Sequence, residues 1–353
     1  MVKYLTPGPV QLPERVIRAY SRQPMFHRGS EFGKLLRDVL DKLGRVFEGY
    51  EYHIMPGTGT FAVDVAVYNF VSPGDNVIVL VNGEFSDRMA NSFESRGAKV
   101  TRIYFNPGED VCMRLSDVEE ALSRIKPRAL ALVHNETSMG VANRCIDELS
   151  ELAHREGSIV IVDAVSSIPA EPVPTKADVI ATATHKAFLA PPGGAIIAYK
   201  DPKMLVNAPL PPSMDIKSYI KYKDRYETPY TPPINILYAL SESLSYILDE
   251  LGLEKYRLMH VERANYLYGE LPRLGFKPVA VRDEYRSITV TAFYTHIEPA
   301  KVVEHLRLKG YVVSGGMWKI RDRSFRIGVM GDIDLADLRN VVESLRELTA
   351  ANH

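Results

Sequence analysis

Ala129-Leu130-Ala131-Leu132-Val133-His134 and Ile159-Val160-Ile161-Val162-Asp163 are short apolar runs closed by a polar residue, and the helical pattern of Asp147–Arg155 lies between them. Unbroken apolar runs of this length read as strands buried on both faces, and strands alternating with amphipathic helices make the βαβ units of a mostly parallel sheet. Working outward, the alternation extends from about residue 54 to 200. Strands are expected at Asn76–Val81, Lys99–Tyr104, Ala129–His134, Ile159–Val162, Val179–Thr182 and Gly194–Tyr199. Helices are expected at Thr60–Phe70, Phe85–Ser95, Ser116–Ile125 and Asp147–Arg155. Ser116-Asp117-Val118-Glu119 has the spacing of a capping box, and Gly157 suits a helix C-cap. The fold class predicted is α/β.

Past residue 200 the texture turns Pro- and Tyr-rich, and 205–233 reads as a loop region. Helices at Ile234–Leu251, Lys255–Leu274, Pro299–Lys309 and Asp334–Thr349, with strands near Ser287–Tyr294 and Phe325–Val329, suggest a smaller C-terminal α+β domain. The expected division is an N-terminal arm (1–14), a large domain (15–250) and a small domain (251–353).

The 353 residues are 46% apolar and 25% charged, which excludes disordered and fibrous classes. With 43 Lys plus Arg against 44 Asp plus Glu, the net charge of -1 provides no basic field for nucleic acid or anionic lipid, so a small-molecule partner is expected. No apolar run approaches the roughly 20 residues of a membrane helix, and Met1-Val2-Lys3-Tyr4 carries no signal-peptide pattern. Cys112 and Cys145 are too few and too isolated for a disulfide framework or a cysteine-based metal site. Together these point to a cytoplasmic protein in a reducing compartment, without a metal.

The sharpest local feature is Thr184-His185-Lys186-Ala187, a lysine between an apolar strand and the Pro-Gly loop Pro191-Pro192-Gly193. Ligands bind at such strand ends, where desolvation lowers an amine's pKa and makes it nucleophilic, so Lys186 is a Schiff-base candidate; taken alone, it also reads as a surface lysine. Asp163 ends its strand facing the same crevice. It can hold a proton on a pyridine nitrogen, cap a helix or, without flanking His or Glu, serve poorly as a metal ligand. Gly57-Thr58-Gly59-Thr60 runs into a helix and makes a phosphate cradle of free N–H groups. It also matches a weak dinucleotide fingerprint, although the preceding strand is only His53-Ile54-Met55 and no acid ends the next one. Phe85, in Asn82-Gly83-Glu84-Phe85, is placed either to stack on a planar group or to fill the core. Arg326, in Phe325-Arg326-Ile327-Gly328, sits among apolar neighbours and needs a carboxylate, from substrate or from a structural acid.

Together these segments resemble the class V, fold type I pyridoxal-phosphate aminotransferases, in particular the alanine–glyoxylate and serine–glyoxylate/pyruvate branch. The resemblance also takes in Leu5-Thr6-Pro7-Gly8-Pro9, Pro73-Gly74-Asp75 and His134-Asn135-Glu136-Thr137-Ser138-Met139-Gly140, and so spans nearly the whole chain. It implies a seven-stranded-type sheet sandwiched by helices, with pyridoxal 5'-phosphate as cofactor. By it, Lys186 holds the cofactor covalently and shuttles a proton, Asp163 pairs with the pyridine nitrogen, and Phe85 stacks on the ring. Thr137 bonds the ring's polar edge, Val165 belongs to the cofactor pocket, and Gly57, Thr58, Gly59 and His185 surround the phosphate. Gly8 and Arg326 bind substrate. Thr228 and Thr231, with Tyr230 beside them, reach the phosphate of a second subunit in a homodimer. Pro56 stands where Ser is frequent, Phe85 where Trp is, and His185 where Gln is, which makes the site's charge pH-sensitive.

The activity implied is ping-pong transfer of an amino group from alanine or serine to glyoxylate or pyruvate. A desulfurase of the same fold needs a cysteine in the C-terminal part, which Cys112 and Cys145 do not provide. An aspartate aminotransferase or a lyase remains as an alternative, with Arg28 or Arg225 as a second cation for a dicarboxylate. A nicotinamide-dependent dehydrogenase built on Gly57 and Gly59 leaves Lys186, Asp163 and Arg326 without a role, and a binding module has no need of the imine.

Overall fold

The computed structural model describes residues 2–351; Met1, in the expected N-terminal arm, and Asn352 and His353, at the end of the expected C-terminal domain, lie outside them. At the centre is a seven-stranded sheet made of β1 (Glu51–Gly57), β2 (Asn76–Val81), β3 (Lys99–Tyr104), β4 (Ala129–Val133), β5 (Ile159–Asp163), β6 (Val179–Ala183) and β7 (Gly193–Tyr199). Across the sheet the order is β1-β7-β6-β5-β4-β2-β3. The run from β6 to β3 is parallel, and β7 is antiparallel to both of its neighbours.

Both faces of the central strands β2, β4 and β5 are buried, which is why they read as apolar runs, whereas the edge strand β3 carries Thr101 and Arg102 and is only half-buried. Ile78, Leu80, Leu130, Leu132, Val160 and Val162 point to one side. There they meet α1 (Glu14–Tyr20), α2 (Ser30–Val46), α5 (Leu115–Ile125), α6 (Ile146–Arg155) and α8 (Ile234–Ser245). The alternate residues Val77, Val79, Ala129, Ala131, Ile159 and Ile161 point to the other, against α3 (Gly59–Phe70) and α4 (Glu84–Ser95).

A second sheet of β8 (Lys277–Pro278), β9 (Val290–Tyr294), β10 (Ser314–Gly315) and β11 (Ser324–Gly328) is antiparallel throughout, in the order β8-β9-β11-β10. Phe293, Phe325 and Ile327 of this sheet share a core with α9 (Leu253–Glu270), α10 (Pro299–Leu308) and α11 (Leu335–Ala350). The N-terminal segment joins this layer: Lys3–Tyr4 pairs with Tyr311–Val312, and Gly328 N–H donates to the Leu5 carbonyl at 2.7 Å. One face of α9 ties the two layers together. Tyr256 donates its hydroxyl to the Ala187 carbonyl at 2.5 Å. The buried Arg263 guanidinium donates to the carbonyls of Val329, Gly331 and Ile333.

Several expectations are corrected. The 205–233 stretch contains a helix, α7 (Ile216–Lys223), whose N-cap Asp215 accepts from Lys217 N–H at 3.0 Å. β1 has seven residues rather than three, because it pairs along its whole length with β7. The Ser116 capping box does not form: α5 begins at Leu115 as the continuation of a 3-10 turn, which Asp110 caps instead by accepting Cys112 N–H at 3.1 Å. Gly157 does follow α6 with φ of +74°. Most consequentially, Cys112 and Cys145 are not isolated thiols. Their Cα atoms stand 5.8 Å apart and the sulfurs form a disulfide, because the turn after β3 and the start of α6 meet across 33 residues of sequence. The cysteine count therefore gives no support to a reducing compartment. Among the described residues no helix is long and apolar enough to cross a membrane.

Candidate active site

The C-terminal ends of β1, β2, β4, β5 and β6 converge on one cleft, where parallel strands leave their ligand-facing edge. Thr58, Gly59, Phe85, Thr137, Asp163, Val165, His185 and Lys186 line it together. Gly57 stands just outside, at the end of β1, where its missing Cβ leaves room for the Phe61 ring.

Lys186 sits in the turn that follows β6, and its Nζ donates to the Pro7 carbonyl at 2.6 Å. Burial, aided by the positive charge of Arg326 and opposed by Asp163, brings this amine down to about 8. Gly8, at φ of +121°, runs against the same side chain, and a Cβ there would fall on the lysine stem. The residue must be glycine on both counts.

Asp163 pairs in register with Val133 and Ala181 at the end of β5. Its Oδ1 accepts from Val165 N–H at 2.9 Å, and Oδ2 has no partner among the described residues. Burial pushes this carboxyl up to about 7; the Val165 N–H pulls the other way, and the negative charge of Glu136 adds to the rise. A carboxyl so raised, 7% exposed and facing a cleft, is an acid without its cation.

α3 starts at the cleft wall. Its N-cap Thr58 makes no side-chain capping bond, so the first N–H groups of the helix are left without a capping partner among the described residues. Gly59 packs so tightly on Val165 that a Cβ would collide with it, which brings the helix N-terminus close to the end of β5. His185 adds a buried Nδ1 without a partner. Burial lowers this imidazole to about 4, with Lys186 adding to the shift, so it is neutral at physiological pH and not the variable charge expected from sequence.

Thr137 Oγ1 lies 2.6 Å from Ser166 Oγ, and Asn135 Nδ2 donates to that same Ser166 oxygen at 2.8 Å. The Arg326 guanidinium is held by carbonyls alone, with Nε donating to Gly315 at 2.9 Å and Nη1 to Thr137 at 3.3 Å. No Asp or Glu pairs with it among the described residues, so the structural counter-ion considered from sequence does not exist. Burial brings it down to about 10, which leaves it charged, and Glu136 opposes the shift.

Thr228 and Thr231 do not join this cleft. Thr228 is buried with its hydroxyl donating to the Tyr230 carbonyl at 2.7 Å, while Tyr230 and Thr231 are exposed. Arg28 donates to the carbonyls of Thr228 (2.8 Å) and Pro229 (3.3 Å), and Arg225 stacks over Tyr222, so neither offers a second cation inside the cleft of its own chain. Sequence reasoning passed over Asn135, Glu136, Ser166 and the Pro7 carbonyl. Asn135, Glu136 and Pro7 lie inside motifs already singled out; Ser166 follows Asp163 by three residues.

The sequence profile of the family described as aminotransferase class-V matches residues 5–318. An uncharacterised aminotransferase of Methanocaldococcus jannaschii is 32% identical over 361 residues, covering 98% of this chain and 92% of that protein. The alanine–glyoxylate aminotransferase of Callithrix jacchus is 31% identical over 367 residues, covering 97% of this chain and 86% of its own. Among solved structures, the subgroup IV aspartate aminotransferase of Thermus thermophilus superposes with a TM-score of 0.90 at 28% identity over 99% of both chains. The chain belongs to the class-V aminotransferase family, and it is an aminotransferase.

Proposed function

We propose that the chain binds pyridoxal 5'-phosphate in this cleft and moves the amino group of a small amino acid, alanine or serine, to glyoxylate or pyruvate. The observation that carries this reading is one cleft holding a depressed amine (Lys186) and a raised carboxyl (Asp163), with a guanidinium that has no acid of its own among the described residues (Arg326) near enough for its charge to act on the amine. The donor set fits the cofactor: the uncapped start of α3 with Thr58 and the orphaned His185 Nδ1 suits a phosphate, and Oδ2 of Asp163 suits a protonated ring nitrogen. When bound, the pyridine ring supplies an electron sink for the carbon that loses its proton.

The protein's own groups do the rest. Lys186 near 8 is in part uncharged at neutral pH, so its Nζ can take a proton from the substrate carbon and return it. Asp163 keeps a proton on the ring nitrogen. Phe85 flanks the ring, and Thr137 with Ser166 serves its polar edge. Arg326 binds the α-carboxylate through the guanidinium edge that Gly315 and Thr137 leave open. Arg28 and Arg225 are engaged elsewhere, and Arg88, which lines the cleft, is already paired with Glu84, which favours a substrate with one carboxylate over aspartate. Thr228, Tyr230 and Thr231, turned away from the cleft of their own chain, serve a second subunit in a homodimer.

The test is the absorption spectrum of the purified protein with pyridoxal phosphate, before and after adding alanine, serine, aspartate and glutamate one at a time. A visible band that bleaches with alanine or serine and returns with glyoxylate or pyruvate is expected, and Lys186→Ala should bind the cofactor weakly without turnover. Bleaching by aspartate alone would overturn the substrate assignment. A colourless protein, or a fully active Lys186→Ala, would overturn the site.

A further inference from the structure

One fully buried acid takes no part in the chemistry above. Glu136 Oε1 accepts from Phe85 N–H (3.3 Å), Ser138 N–H (3.2 Å) and the Ser138 hydroxyl (2.5 Å). Its Oε2 accepts from Ser86 N–H (3.0 Å) and the Ser86 hydroxyl (2.9 Å). Glu84 N–H in turn donates to Ser138 Oγ at 3.0 Å. The first three N–H groups of α4, those of Glu84, Phe85 and Ser86, are therefore held by the turn Glu136–Ser138, fifty residues away in sequence. A negative group at a helix N-terminus is stabilising, and the N-cap, Gly83, has no side chain to supply one. A Cβ on Gly83 would fall on the Glu136 carboxylate, so the glycine is what admits the acid to the helix end.

The first turn of α4 carries Phe85 into the cleft. The residue after Glu136 is Thr137, whose carbonyl accepts from Arg326 Nη1 and whose hydroxyl meets Ser166. One dipeptide thus holds the aromatic wall of the cleft by its acid and the guanidinium by its backbone. We infer that Glu136 is a positioning residue that locks the start of α4, and with it the Phe85 ring, to the turn that carries Thr137 and steadies Arg326. The inference rests on reading Phe85 as the ring that flanks the cofactor and Arg326 as the carboxylate site. The negative charge of Glu136 supports it, since it works against the loss of the Arg326 proton on burial.

The test is Glu136→Gln in the full-length protein loaded with pyridoxal phosphate. Glutamine keeps the shape but aims an NH2 at groups that are themselves donors. Losing one or two of these bonds should raise the cofactor dissociation constant about five- to tenfold, by fluorescence quenching. The circular dichroism induced in the cofactor band should fall by about half, and the KM for the amino acid should rise more than kcat falls. A residue of purely structural worth would lower the melting temperature and leave the dichroism per bound cofactor and the KM as they were. Ser138→Ala, which removes the brace on Glu84 and Oε1 but keeps the carboxylate, should move the same readouts in the same direction by less, and it decides the matter if Glu136→Gln does not fold. Wild-type dissociation constant, dichroism and KM in a folded variant overturn this inference alone. A wild-type chain that binds no pyridoxal phosphate overturns the reading of the site, and this inference with it.

Discussion

Asp163→Asn in the cofactor-free protein should change how stability depends on pH. The Asp163 carboxyl titrates at 3.8 when exposed and is pushed up to about 7 by burial. Between those values the folded chain holds a proton that the unfolded chain has released, so the stability this proton lends at low pH is lost as pH rises through about 7. At about 1.4 kcal/mol per pH unit, the loss amounts to about 4 kcal/mol, a large part of a typical domain's 5–15 kcal/mol. Asparagine fills the same volume, still accepts from Val165 N–H and does not titrate, so the variant should lack this slope. The histidines lowered by burial, His53, His134, His185 and His260, make stability rise with pH over the acid range, but they do so in both proteins and cancel in the difference. The assay is urea denaturation of both cofactor-free proteins from pH 4 to pH 8. The wild type should lose about 4 kcal/mol relative to Asp163→Asn across that range, and saturating pyridoxal phosphate should flatten the curve by giving the carboxylate a cation. Parallel curves with and without the carboxyl would refute the claim that Asp163 is an acid awaiting a partner.

Two further outcomes test separate parts of the structure. Arg326→Ala removes a guanidinium held by two carbonyls and no acid; since hydrogen bonds to charged groups contribute about 1.5–3 kcal/mol, the KM for the amino acid should rise about 10- to 100-fold, and an unchanged KM would assign Arg326 a structural role. Reducing the Cys112–Cys145 bond opens a loop spanning 33 residues, for which the chain-entropy estimate is a loss of about 4 kcal/mol. Denaturation of the wild type with and without dithiothreitol, against Cys112→Ser as control, measures it, and a wild type indifferent to reductant would show that the pair is not closed in solution.

The parts of this fold that sequence discloses are those whose physics is local. β2 falls on the expected residues to the position, because a strand covered on both faces cannot tolerate a polar side chain until it ends; the half-buried edge strand β3 does so too, although Thr101 and Arg102 lie in its middle. Lys186, Asp163, Phe85 and the Gly57–Thr60 turn were legible because a parallel sheet delivers its strand ends to one edge. α2 was overlooked although Phe32, Leu36, Val39, Leu43 and Val46 repeat at helical spacing, so its signal was present and unused. α7 is different: a single turn or two of Lys and Tyr with few buried residues has no pattern to betray it. The disulfide and the Glu136 brace were beyond reach for a third reason, since each joins segments tens of residues apart that meet only once the sheet has formed. Arg326 shows the boundary well. Its apolar surroundings announced a missing carboxylate, but only the folded chain shows that no acid among the described residues answers.

Tyr256 and Arg263 lie seven residues apart on α9, two turns of helix or about 10 Å along its axis. One grips the turn that bears Lys186 and the other grips the chain leaving the strand that bears Arg326. Amine and guanidinium are thereby mounted on a common strut. If the molecule closes over its substrate, these two groups travel together, and Leu5, whose carbonyl accepts from Gly328 on the same strand as Arg326, travels with them.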